Sequence, residues 1–155
     1  MSLKIIQTKH GEDIHMHLSG MLDENANLPD FSKEIPGMLV VNLSEVSMIN
    51  SLGCRVWSKW IKTVRTKHGV FLRECSSAFI AQVNVLQNFI PAGVSIESLQ
   101  VPYVCIKCNH SERTILPLAN ARTAPDQKPC PRCGGVMEIN VVRSKYFHFL
   151  DKKAA

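Results

Sequence analysis

The apolar positions of residues 1–100 alternate between two periods. Ile5-Ile6 and the run Ile14-His15-Met16-His17-Leu18 predict two short strands, and Lys9-His10-Gly11-Glu12-Asp13 between them has the glycine and polar residues of a hairpin turn. Met38 to Leu43 is nearly continuous apolar sequence, as expected of a central strand covered on both faces, and it should end in a loop before Asn50. A helical period follows. Trp57, Trp60, Ile61 and Val64 recur at i, i+3, i+4 and i+7, a stripe suited to facing a sheet, while Arg55, Lys59 and Lys62 fall on another face. His68-Gly69 predicts the end of that helix and Val70 to Arg73 a strand. Ser76-Ser77 can cap a second helix that buries Phe79, Val83, Leu86 and Ile90. Pro91-Ala92-Gly93 breaks it before a last strand at Val94 to Ile96. The alternation of strands and helices predicts the α/β class.

Past Gln100-Val101-Pro102 the helical period fades. Prolines 117, 125, 129 and 131 punctuate three candidate strands, around Arg113 to Leu116, Val136 to Val142 and Tyr146 to Leu150, and the small, polar Ala119 to Lys128 reads as a mobile loop tip. Two units are therefore expected, 1–100 and 101–155. The second has few large apolar side chains, and chains so short seldom hold together without a metal or another crosslink.

Charge divides at the same place. Of the formal net charge of +5, residues 1–100 hold none, with nine Lys/Arg against nine Asp/Glu, and residues 101–155 hold all of it, with nine against four. Cysteine divides too: Cys54 and Cys75 are isolated, whereas Cys105, Cys108, Cys130 and Cys133 form two close pairs. No apolar run reaches the roughly 18–20 residues needed to cross a bilayer, and the start lacks the apolar core of a secretion signal, so a cytoplasmic address with reduced thiols is expected. Paired cysteines there point to metal before disulfide.

Cys105-Ile106-Lys107-Cys108 and Cys130-Pro131-Arg132-Cys133-Gly134-Gly135 are two C-x-x-C hooks separated by 21 residues. A two-residue gap in a tight turn brings both sulfurs to one side with backbone N–H groups aimed at them, and two such hooks close a tetrahedron. Gly134 and Asn109 suit the positive φ required just after each hook. Four thiolates favour zinc, with iron in a rubredoxin-like site the rival, and four protein ligands leave no open coordination position, so the ion should be structural. His110 is a weaker competitor for ligation. The tail resembles a zinc ribbon, a small three-stranded module, and its C-P-x-C-G-G knuckle is the most specific feature. The resemblance implies binding to nucleic acid or to other proteins. Arg113, Arg122, Lys128, Arg132, Arg143 and Lys145 would supply phosphate contacts, although four thiolates around one zinc carry a formal −2 and lower the tail to about +3.

Within 1–100 the informative stretch is Asn42-Leu43-Ser44 followed by Asn50-Ser51-Leu52-Gly53. Read from local chemistry alone, Ser51 can cap the helix that bears Trp57. The stretch also resembles the STAS domain of anti-sigma-factor antagonists, whose strand ends in Asp-Leu-Ser and whose next helix opens with Asp-Ser-x-Gly. Leu18-Ser19-Gly20-Met21-Leu22-Asp23 is similar to the family's Leu-x-Gly-x-Leu-Asp segment. The resemblance implies a mixed sheet with packed helices. It also implies a partner switch in signalling or transcription regulation, in which a kinase-like anti-sigma factor docks on the loop and helix and phosphorylates the serine matching Ser51. A phosphate would add about −1.5 to −2 charges to that surface. Here Asn42 and Asn50 stand where the family has aspartate, and Arg55, with Lys59 and Lys62, makes the helix face basic.

His15 and His17 share a strand face without an evident third ligand and read as surface residues; Trp57 and Trp60 fit the core stripe; Cys54 reads as buried. The chain has no G-x-S-x-G elbow, phosphate-binding glycine loop or H-E-x-x-H helix, so a non-enzymatic module is expected. The leading expectation is a regulatory protein-interaction module acting through Asn50, Ser51, Arg55, Lys59 and Lys62. The second is nucleic-acid binding through the ribbon, and the third a redox or ligand sensor at Cys54 or a pocket by the Asn50 loop.

Overall fold

The computed structural model describes residues 2–151, so the last four positions of the expected ribbon lie outside it. Strands β1 (Lys4–His10) and β2 (Asp13–Leu22) form the expected hairpin, paired antiparallel from Lys4↔Ser19 to His10↔Asp13. Its two-residue turn has positive φ at Gly11, the requirement of a II′ turn. β3 (Leu39–Ile49), β4 (Val70–Arg73) and β5 (Val94–Ile96) follow in parallel, giving a mixed five-stranded sheet in the order β1-β2-β3-β4-β5. Helices α1 (Ser51–Thr63) and α2 (Ser77–Val85) lie side by side on it, for Trp57 of α1 meets Phe79 of α2 edge-on at 5.1 Å between ring centroids. Trp57 donates its indole N–H to the Phe89 carbonyl (3.1 Å) and Trp60 donates to that of Pro29 (2.6 Å), so both tryptophans are core residues with their polar atoms satisfied.

β6 (Ser98–Cys105), β7 (Ser111–Pro117), β8 (Gln127–Pro129) and β9 (Val136–Ile139) build a second, antiparallel sheet in the order β7-β6-β9-β8. The compositional shift at residues 100–101 falls inside β6, whose start runs beside Cys75 just past β4 (Cys75 N–H to Ser98 O, 3.1 Å; Gln100 N–H to Cys75 O, 2.9 Å). Leu99, Val101, Tyr103, Met137, Tyr146 and Phe147 accordingly join one buried cluster with Leu43, Leu72 and Phe79.

Five expectations differ. α2 ends at Val85, where Leu86 turns to extended backbone, so Leu86 and Ile90 lie beyond the helix and are half-buried. Residues 44–49, expected as loop, continue β3: they pair with the end of β2 through two register shifts, and the polar Ser44, Glu45 and Ser47 masked the strand. α1 ends at Thr63, five residues before His68, because Arg65 and Lys67 pair their backbones with Phe31 and Ile35. Tyr146 to Leu150, expected as a strand, is a short helix α3 (Arg143–Tyr146) and a 3₁₀ turn, His148–Asp151. The tail sheet has four strands rather than three: Tyr146 to Leu150 gives none, while β6, across the expected boundary, and β8, which follows a 3₁₀ turn, Leu118–Thr123, in the supposed loop tip, add two. Ala121 and Ala124 are buried there, where small side chains let the backbone pack closely and leave no apolar signal.

Candidate metal centre and the start of the first helix

Each cysteine hook is the turn of a hairpin. Cys105 ends β6 and Cys108 precedes β7; Cys130 and Cys133 connect β8 to β9. The turns close with matching backbone bonds, Asn109 N–H to Cys105 O and Gly134 N–H to Cys130 O, both 3.0 Å, and Asn109 and Gly134 take the expected positive φ of 62° and 74°. Backbone N–H groups then point at sulfur: Cys108 to Cys105 Sγ and Gly135 to Cys133 Sγ, both 3.4 Å. The four Sγ atoms lie within 4.8 Å of one another, with Cys105–Cys133 at 3.5 Å and Cys108–Cys130 at 3.7 Å. A tetrahedral ion with metal–sulfur bonds of about 2.3 Å needs edges of about 3.8 Å, so the four cysteines can hold a metal ion.

The N–H of Cys108 draws the Cys105 thiol down to about 6, while against the His110 backbone N–H, burial and the other three sulfurs push Cys108 up to about 11. His110 takes no part: its Nε2 lies 3.5 Å from Glu112 Oε1, outside the sulfur cluster. Cys105 and Cys130 are buried, Cys108 is half-buried and Cys133 is exposed, so one edge of the centre reaches the surface.

At the start of α1 the cap is Asn50, not Ser51. Asn50 Oδ1 accepts from Gly53 N–H at 2.7 Å, while Ser51 is the first helical residue and its side chain is exposed. The Asn50 amide also donates to Glu24 Oε2 (3.1 Å), and the Glu24 carboxyl is held below the ordinary range by its own backbone N–H and by that amide. Asn42 repeats the arrangement, accepting from Ser44 N–H (2.9 Å) and donating to Glu74 Oε2 (2.9 Å). At both positions an aspartate would lose the donor that its glutamate neighbour accepts. Gly53 is required by space: a Cβ built there would lie 1.8 Å from the Leu22 carbonyl oxygen.

Ser51 and Arg55 line one groove between α1 and α2 with Cys54, Ser58, Gln82, Leu86 and Gln87. Arg55, Lys59 and Lys62 are all exposed and make no ion pair among the described residues; Lys62 borders a separate cleft near Arg65. Met48 and Leu52, 53% and 45% exposed, flank Ser51 in sequence and give the basic helix end an apolar margin. Burial pushes the Cys54 thiol up, which removes the low-pKa nucleophile that a helix start can create.

Sequence reasoning picked out the four cysteines that the structure brings together, but it missed the contacts made by Glu24, Glu74, Gln100 and the Ser44 carbonyl. Each acts through a partner 26 to 69 positions away, as in Asn50–Glu24 and Arg113–Ser44, and no local pattern announces such a contact. Among known proteins, no family model, no curated protein and no solved structure matches the chain.

Proposed function

We propose that the chain is a non-enzymatic protein-interaction module of a cytoplasmic regulatory system, docking a protein partner through the start of α1, with a structural zinc ion held by Cys105, Cys108, Cys130 and Cys133. The observation that carries it is the division of labour between neighbours: Asn50 caps the helix, and Ser51 is left outward, between exposed Met48 and Leu52 and in line with Arg55, Lys59 and Lys62. Exposed apolar side chains at the start of a helix whose outer face carries cations without an ion pair among the described residues suit a partner surface carrying carboxylates. Ser51 is the switch in this reading. A phosphate of about −1.5 to −2 charges would cancel half or more of the charge of Arg55, Lys59 and Lys62 on the docking face, while the helix N-terminus tolerates it. The resemblance to anti-sigma-factor antagonists supports the same assignment, with a kinase-like protein as the partner.

Nucleic-acid binding by the ribbon has less support. Of its six candidate phosphate contacts, Arg113 bonds the Ser44 carbonyl, Arg122 pairs with Asp151, Lys128 with Glu112 and Arg143 with Asp126, leaving Arg132 and Lys145. At the first four, a phosphate contact would displace a partner already in place.

The test is cross-linking and affinity capture with wild type, Ser51→Asp and Arg55→Glu/Lys59→Glu, followed by direct binding to the captured protein. Both variants should bind at least about tenfold more weakly, a loss typical of a docking-face charge reversal, with unchanged thermal midpoints. Equal binding by all three proteins would refute the assignment. Salt-sensitive binding of the full chain to RNA or DNA, lost in Arg132→Glu/Lys145→Glu, would favour the ribbon instead.

A further inference from the structure

β3 extends beyond β4. The two pair only as far as Asn42↔Arg73, and the first sheet offers β3 no strand on that side beyond this point. Two donors from the second sheet meet it there. Gln100 Nε2 and Arg113 NH1 each donate to the Ser44 carbonyl, both at 3.0 Å, and Arg113 NH2 lies 3.6 Å from Glu45 Oε1. Gln100 is 3% exposed and Ser44 is 9% exposed. Gln100 is on β6 and Arg113 on β7, the two stems of the hairpin whose turn is the hook Cys105–Cys108. From Ser44 the chain needs only residues 45–49, with a register shift against β2 between Gly20 and Met21, to reach the Asn50 cap and Ser51.

A continuous run of hydrogen bonds and paired strand therefore links the sulfur cluster to the start of α1. We propose that the four-cysteine centre governs that surface through the Ser44 carbonyl: clamping the β6–β7 hairpin holds residues 44–54 in place, so gain or loss of a thiophilic divalent cation such as zinc tunes docking. The inference rests on reading the start of α1 as the docking surface. Cys133 is exposed and Cys108 half-buried, so the ligand set is open to a competing chelator from solution. Linkage makes the effect reciprocal: a partner that favours the ordered 44–54 segment also tightens metal binding.

Amide hydrogen exchange of the full chain tests this without any partner. Its outcome is therefore separate from that of the Ser51 binding experiment, which addresses the docking surface alone. Zinc-loaded protein is compared with protein stripped by a strong zinc chelator, metal content being measured in each. Amides of 44–54 should exchange about tenfold faster after stripping, within the usual span of coupling between sites, while those of the β1–β2 hairpin from Lys4 to Met16 hold their rates. The decisive arm is Gln100→Met/Arg113→Gln at saturating zinc, where the same acceleration is expected with the sulfur cluster intact. Wild-type rates at 44–54 in that variant overturn the proposal, even if the stripped protein melts as a whole. Unchanged rates at 44–54 in stripped wild type overturn it equally.

Discussion

Asn50 and Ser51 are adjacent and interchangeable on paper, since both are good caps, yet only Asn50 bonds the Gly53 amide. Asn50→Ala should lower stability by about 1 kcal/mol in urea unfolding, whereas Ser51→Ala should stay within about 0.5 kcal/mol. Aspartate at position 50 is a sharper trial. Asn50→Asp keeps the cap but sets a carboxylate against Glu24, so it should fall below wild type and recover when Glu24→Gln is added. Recovery failing in that double variant would remove the Asn50–Glu24 contact from the account. Gly53→Ala should be far worse, at about 3 kcal/mol, because the new methyl meets the Leu22 carbonyl, which is backbone and has little room to move.

Among the elements, α2 and the C-terminal turns share a bridging side chain. Asn84 donates to the Ile80 and Tyr146 carbonyls and accepts from the Phe149 N–H, bridging α2 to α3 and the turn beyond it. Asn84→Ala strands the Tyr146 carbonyl and Phe149 amide and should cost about 1–3 kcal/mol, with faster proteolysis confined to 143–151. The β1–β2 hairpin supplies a pH dependence. His15 meets His10 with ring centroids 4.4 Å apart and planes tilted by 55°, and burial, then His10 and Arg73, lower its pKa from the usual 6.5 against the opposing pull of Asp13. As pH falls through 6.5 the unfolded chain takes up a proton that the folded chain refuses, so stability declines in that window. Unfolding midpoints at pH about 7.5 and about 5.5 should differ for wild type and converge for His15→Gln.

For the whole molecule, the two sheets close over one buried cluster, and the C-terminal segment is attached at both ends: Gln100 and Arg113 on Ser44, and Tyr146, whose carbonyl accepts from Asn84 of α2 at 2.8 Å. A chain cut after Gln100 removes Val101, Tyr103 and Tyr146 from that cluster and should lose cooperative thermal unfolding. Cys130→Ser should abolish stoichiometric zinc in elemental analysis and lower the melting temperature. It should also broaden the signals of the second sheet before those of the first. Full zinc retention by that variant would contradict a four-sulfur site. Among the described residues no helix is long and apolar enough to cross a membrane.

The α/β alternation, the β1–β2 hairpin, both core tryptophans and the metal hooks could be read from residue order because each is a local regularity. Period 2, period 3.6 and a fixed gap between cysteines all act over a few residues. Tertiary structure was needed for the rest, where the forces act between distant segments. Ser44 to Ile49 are strand because β2 lies beside them, and Ala121 and Ala124 are interior because small side chains admit close packing. Asn50, rather than Ser51, is the cap because the chain's entry angle brings its Oδ1 to Gly53. A backbone carbonyl such as that of Ser44 has no identity in sequence at all; its importance arises when two sheets meet and a buried polar atom must find its donors.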